Sequence, residues 1–200
     1  MTRPTKEVYH SSQIQGLSRL EPRESTHGCW LHATRDIALA AAFLGTVGGD
    51  FTCAVGRDSK SGKPYICERF EGALDLRYEG VSGSIYVLPG EMFIGGQTPW
   101  EEEVVSSVSV APIRETRIDD AKAFLMVLAE EGALTIKAFP DRIDGIPEDD
   151  SDLVQRAVVW HERFGDRILD QVETYHPHLM ERVCRAVANH RRNREEDAKR

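Results

Sequence analysis

Three short stretches of this chain carry side chains able to do chemistry at close quarters. Val8-Tyr9-His10-Ser11-Ser12 ends an apolar run with an imidazole and two hydroxyls. Gly28-Cys29-Trp30-Leu31-His32-Ala33-Thr34-Arg35-Asp36 brings a second imidazole to the mouth of a turn. A small polar residue such as Thr34 at a strand-to-helix junction leaves amide N–H groups that suit an anionic or polyhydroxyl ligand. The competing reading is a pair of half-buried strand histidines, with Thr34 as a cap. The third stretch, Trp100-Glu101-Glu102-Glu103-Val104-Val105-Ser106, steps three carboxylates into an alternating strand. Alternation lets at most two of them face the same way. One carboxylate aimed into a cleft could hold a ribose hydroxyl or offset a sugar cation; otherwise the acids are a solvated guard on an edge strand. Glu102 and Glu103 compete for that role, because a one-residue shift in register exchanges the two faces.

The elements that must position these groups are short. From Lys6 to Pro112 the chain is a series of apolar runs broken by Gly, Pro, Ser and Asp. Lys6–His10, Cys29–Ala33, Phe51–Val55, Pro64–Phe70, Ser84–Leu88 and Val104–Ala111 read as strands. One segment of this part reads as a helix, Asp36 to Leu44, with Thr34 or Asp36 as N-cap and Gly45 as its stop. It is apolar all round, so it should be buried against a sheet. The remainder is helical in pattern. Ala121, Phe124, Leu125 and Leu128 follow an acidic start, and Gly132 ends that helix. An acidic loop covers Asp141 to Asp152. Leu153, Ala157, Val158, His161, Phe164, Ile168 and Val172 form an apolar stripe, and a last helix begins at Pro177 with Leu179, Val183, Val187 and His190 facing inward. The architecture expected is α+β, with a strand-rich part at 1–118 and a helical extension at 119–200. The boundary falls between 113 and 150.

Composition narrows the function classes. The 200 residues carry 25 Lys plus Arg against 33 Asp plus Glu, a net charge of −8. That balance argues against a protein that coats a nucleic-acid backbone, which needs a cationic face. The longest low-charge run, Ile37 to Gly49, is too short to cross a bilayer, and Met1-Thr2-Arg3-Pro4 is not the start of a secretory signal. A cytoplasmic protein with no membrane partner is expected. The 4 cysteines, Cys29, Cys53, Cys67 and Cys184, are widely spaced and lack a C-x-x-C pair, so buried or half-buried free thiols are expected.

The order of the three stretches resembles the ADP-ribosyltransferase superfamily. Tyr9-His10-Ser11-Ser12 resembles its Tyr-His-Gly-Ser opening, and Leu31-His32-Ala33-Thr34-Arg35-Asp36 resembles its Val-Tyr-Ala-Thr-x-Asp second motif. Glu103-Val104-Val105-Ser106 resembles the third. The similarity covers residues 7–118 and leaves the helical extension unexplained. It implies two small antiparallel sheets around a cleft, with one buried helix and a C-terminal helical extension. It also implies cleavage of the N-glycosidic bond of NAD and transfer of ADP-ribose to an acceptor, which can be protein, RNA or small molecule. His10 would then hold the adenosine ribose, and Ser11 or Ser12 the nicotinamide amide. His32 would lie beside the nicotinamide, with Thr34 in the same pocket. Arg23 would clamp the pyrophosphate, with His27 a weaker candidate. Glu103 would bind the 2′-hydroxyl of the nicotinamide ribose and offset the developing positive charge. Two departures matter. Ser11 stands where the family has Gly, and His32 where Tyr is commoner. A histidine there is similar to RNA 2′-phosphotransferases, which use a set of arginines and do not need the Glu; Arg19, Arg23, Arg35 and Arg57 are the available set. The alternatives are a binding module for NAD, ADP-ribose or an RNA phosphate end, without turnover, and a scaffold whose Leu153–Val172 stripe docks a partner protein.

Other motifs carry less. His176-Pro177-His178 implies no third metal ligand and reads as a capping turn. His161 and His190 lie on apolar stripes, where a satisfied core or interface histidine is expected.

Overall fold

A computed structural model of the chain describes residues 7–25 and 28–197. The elements run β1 (Glu7–Ser12), β2 (Arg23–Ser25), β3 (Gly28–Thr34), α1 (Ile37–Ala42), β4 (Cys53–Arg57), β5 (Pro64–Glu68), α2 (Ala73–Tyr78), β6 (Gly83–Pro89), β7 (Ile94–Gly95), β8 (Glu103–Ser106), β9 (Arg114–Ile118), α3 (Ala121–Glu130), β10 (Thr135–Lys137), α4 (Ser151–Phe164), α5 (Arg167–Tyr175) and α6 (Met180–Asp197). The fold is α+β. The larger sheet has the order β7-β8-β3-β1-β6-β9, with β2 paired to the first half of β3, and a smaller sheet has the order β10-β5-β4. The smaller sheet departs from the all-antiparallel expectation: β5 pairs antiparallel with β4 but parallel with β10. Everything from α2 to α3 intervenes between β5 and β10, the long crossover that a parallel pair requires.

The alanine-rich helix is as buried as its composition requires. Ala38, Ala40, Ala41, Ala42 and Leu44 lie in one core with Ile85 and Ile118 of the larger sheet, Cys53 and Ile66 of the smaller sheet, and Leu125 and Leu128 of α3. Small side chains let both sheets approach the helix closely. Of the two caps considered, Asp36 is the one used, its Oδ1 accepting from Ala38 N at 2.9 Å. The opposite face of the larger sheet packs Val8, Leu31, Tyr86, Leu88 and Val104 beneath Leu20, Phe93 and Val110. The cysteines divide: Cys53 and Cys67 are buried, Cys29 and Cys184 exposed, and burial pushes the Cys53 thiol up to about 12.

A helix absent from the sequence reading, α2, presents Arg77 to the interior at 2% exposure. Its guanidinium donates to the carbonyls of Gly45 at 3.0 Å, Gly49 at 2.9 Å, Cys53 at 3.0 Å and Ala42 at 3.4 Å. Two of these lie just past or at the end of α1, where helical carbonyls have no partner of their own.

Helices α4, α5 and α6 enclose a third core of Leu153, Ala157, Ile168, Val172, Leu179, Val183 and Val187, into which Phe51 projects from the first part. The apolar stripe is therefore covered within the chain. It is divided between two helices at Gly165, whose φ of 64° is a left-handed position open to glycine. The break leaves Phe164 43% exposed. His190, expected inward, is half-exposed and meets Glu162 Oε1 at 2.8 Å, while His161 is buried against Asp166 at 3.1 Å. The helices are fastened to the rest of the chain electrostatically. Arg69, just beyond β5 and 2% exposed, donates to Asp150 Oδ1 at 3.3 Å and to both carboxylate oxygens of Asp152 at 3.1 and 2.5 Å.

Candidate functional site

The site begins as a gap between two strands. β1 is fully laddered to β6 through Ser12, yet it pairs with β3 at a single position, Tyr9 with Thr34. β3 instead pairs with β8 from Leu31 to Thr34. Beyond Tyr9 the two central strands diverge, and the His10 side chain bridges them, its Nδ1 lying 2.7 Å from the His32 carbonyl oxygen. Donation to that carbonyl fixes the Nδ1–H tautomer of the neutral ring and leaves Nε2 as an acceptor.

Three hollows follow the divergence. The central one, about 160 Å³, is lined by Tyr9, His10, Ser11, His32, Thr34, Phe43, Trp100 and Glu103, among others. A second of about 260 Å³ shares His10 and His32 with it and adds Ser12, Arg19, Arg23 and Trp30. A third of about 490 Å³ shares His32, Phe43, Trp100 and Glu103 and extends to Asp50, Arg156 and Trp160. The ladder explains why His32 and Glu103 meet. Thr34 opposes Glu103 and His32 opposes Val105, so His32 and Glu103 are diagonal neighbours on one face. His32 Nδ1 lies 2.8 Å from Glu103 Oε1. The contact is too far off-axis for a hydrogen bond, so its content is charge attraction whenever the imidazole is protonated.

Their partners separate the two competing carboxylates, since only Glu103 belongs to the ladder with β3. Glu102 lines none of the three hollows; Arg57 grips it with Nε at 2.6 Å and Nη2 at 2.8 Å while also holding Asp36 at 3.0 Å. This bidentate pairing keeps Arg57 protonated and occupied. Of the four arginines considered as a set, only Arg19 and Arg23 border the hollows, and Arg19 also reaches Ser109 Oγ at 3.0 Å.

The remaining expected residues are distributed unevenly. Ser11 borders the central hollow and Ser12 the second, as strand alternation requires. Ser12 Oγ also accepts from Ile14 N at 3.1 Å. Thr34 is buried, and its hydroxyl is taken up by the strand-to-helix turn, donating to the Asp36 carbonyl at 2.7 Å and accepting from Asp36 N at 3.0 Å. Its methyl and backbone, not a free hydroxyl, are what it offers a ligand. His27 lies outside the described residues. The aromatic wall was not anticipated: Phe43 and Trp100 pack edge to face at 5.4 Å, and α4 supplies Arg156, paired with Asp50, and Trp160. Trp100 adjoins the acidic run, a weak local signal. Nothing near Trp160 marks it.

Burial holds the His10 pKa below its ordinary 6.5, aided by the nearby Arg23 charge and opposed by the bond to His32. In the unfolded chain the same histidine takes a proton near its ordinary value. Between the two pKa values the unfolded state binds more protons, so His10 favours folding at neutral pH and that contribution declines as pH falls below about 6.5. Urea unfolding measured from pH 7.5 to pH 5 should show a stability slope that is smaller in His10→Gln. An identical slope in the variant would assign the acid sensitivity elsewhere.

In comparisons with known proteins, no family model matches the chain, and no curated protein or solved structure matches it. Among the described residues, no helix is long and apolar enough to cross a membrane.

Proposed function

We propose that this protein cleaves the N-glycosidic bond of NAD and transfers ADP-ribose to an acceptor. The observation that carries this reading is the divergence of β1 from β3, with His10, His32 and Glu103 around one hollow and Arg23 in the hollow beside it. In this reading the adenosine and pyrophosphate lie toward His10 and Arg23, where a guanidinium can take phosphate oxygens bidentately. The nicotinamide ribose lies against Glu103. As the bond between the ribose C1′ and the pyridinium nitrogen breaks, its electron pair leaves with neutral nicotinamide and positive charge develops on the sugar. A carboxylate fixed beside that charge stabilises the transition state more than the ground state. The acceptor would approach through the third hollow, past Trp100 and Trp160; its nucleophile bonds to C1′ and loses a proton.

The contact between His32 and Glu103 supports a second reading, recognition of NAD or ADP-ribose without turnover. A protonated His32 would neutralise the carboxylate that transfer requires.

Calorimetric titration of NAD into the wild type and His10→Ala tests the shared part of both readings. Saturable binding is expected, weakened about three- to tenfold in the variant, since a neutral hydrogen-bond partner is worth about 0.5–1.5 kcal/mol. Absence of binding at millimolar NAD, or equal affinity in the variant, would overturn NAD as the ligand of this hollow.

A further inference from the structure

The pair His176-Pro177-His178 has a partner that local sequence does not announce. Folding brings Asp150, at the entrance to α4, against the turn between α5 and α6, and one donor atom from each of Asp150, His176 and His178 lies within 4.8 Å of the others. Asp150 occupies the N-cap position of α4, yet its carboxylate makes no capping bond and its backbone is held at φ 52°. The carboxylate is turned toward Arg69 and Arg142 instead. Both guanidinium groups contact Oδ1, at 3.3 and 3.4 Å, and none of the described residues donates to Oδ2.

Two of the three donors are therefore oriented from behind. Arg69 and Arg142 hold the Asp150 carboxylate in its orientation through Oδ1. His176, 1% exposed, has its Nε2 2.6 Å from the Phe51 carbonyl oxygen, so Nε2–H donates and the Nδ1 lone pair is left for another partner. A histidine that gives one ring N–H to a backbone carbonyl and a carboxylate that is itself hydrogen-bonded are the outer-shell arrangements typical of metal ligands. His178, by contrast, is exposed, and its ring stands 5.7 Å from that of His176 at 71°. It is free to rotate the short distance that closure around an ion needs. The charges of Arg69 and Arg142 are balanced by Asp150 and Asp152, so an added cation does not meet net positive charge.

We propose that Asp150, His176 and His178 form a binding site for a divalent ion of the zinc class, clasping the 138–150 loop to the turn between α5 and α6. Two imidazoles and one carboxylate suit zinc or a neighbouring late first-row ion, bound at about 2.0–2.2 Å, with water completing a tetrahedron. Magnesium and calcium, which take oxygen ligands, are excluded by the same donor set. The site shares no residue with the NAD hollow, and its role is to hold two segments together rather than to react.

The test is calorimetric titration of zinc chloride into the chelator-treated full-length chain, alongside thermal unfolding. A 1:1 site with micromolar or tighter affinity is expected, with Tm raised by about 5 °C or more at hundredfold excess over Kd. His178→Ala should weaken binding at least about tenfold while leaving the metal-free Tm unchanged, since the residue is exposed. Magnesium chloride should produce neither effect. No saturable zinc binding would overturn the proposal. So would equal affinity in His178→Ala, which would place the ion elsewhere, for example on the exposed thiols of Cys29 or Cys184.

Discussion

Glu103→Gln is expected to retain saturable NAD binding and to lose NAD cleavage by about 10²–10³-fold, the range associated with removing one preorganised group that stabilises developing charge. The substitution preserves shape and one acceptor oxygen, so the ribose contact survives while the negative charge is lost. The structure supplies its own control. Glu102 is adjacent in sequence but precedes β8, is held by Arg57 and lines none of the three hollows. Glu102→Gln should therefore change stability by about 1–3 kcal/mol, through a broken bidentate pair, and leave the cleavage rate per folded molecule near wild type. Release of nicotinamide from NAD, followed by chromatography for both variants, separates these outcomes. Full turnover in Glu103→Gln would remove the transfer mechanism. Cleavage undetectable even in the wild type, with NAD binding intact, would establish the reading in which the hollow recognises its ligand without reacting.

The largest stability effect is expected at Arg77. Arg77→Met keeps much of the apolar stem but withdraws every donor from the carbonyls of Ala42, Gly45, Gly49 and Cys53. Ala42 keeps the Tyr78 hydroxyl at 2.6 Å and Gly49 the Thr52 hydroxyl at 2.9 Å; Gly45 and Cys53 lose their side-chain donor in an interior that water does not reach easily. The expected cost is about 3–5 kcal/mol, the range for breaking a buried charged network from one side. For a chain of this size that corresponds to a fall in Tm of about 10 °C. Arg77→Lys should recover only part of it, because an ammonium offers a point charge in place of a planar fork. A fall of less than about 2 °C in Arg77→Met would show that the carbonyls find other donors.

Legibility in the sequence followed the strength of local patterning. The α+β character, the buried alanine-rich helix and most central strands were readable because apolar runs and turn residues alternate sharply there. β9 was not. Its residues Arg114-Glu115-Thr116-Arg117-Ile118 are mostly exposed at the sheet edge, so no apolar face marks it. α2 and β10 are too short to establish a period of their own. At the candidate site, residue types pointed to His10, His32 and a carboxylate, but the choice between Glu102 and Glu103 depended on which of them belongs to the ladder with β3. The divergence of β1 from β3 has no local signature at all, since Ser11 and Ser12 are as compatible with a closed ladder as with an open one. Asp150 beside His176 is a meeting of segments distant in sequence, and the loop around Asp150 reads as a solvated acidic linker until the fold supplies its neighbours.

Arg69 bears on how such a protein can change over evolutionary time. Its side chain is buried in the whole chain and belongs to the segment after β5, while the carboxylates facing it, Asp150 and Asp152, belong to the start of α4. Removing the helices would take both carboxylates away from this cation and uncover the surface they share, so the pairing and the helices are lost together. The helices are therefore not a cassette that recombination can attach or discard freely. Any descendant lacking them is left with the uncovered surface around position 69, and any ancestor that acquired them had to tolerate the arginine or gain it afterwards. Substitutions at position 69 and at positions 150 and 152 should accordingly be inherited together.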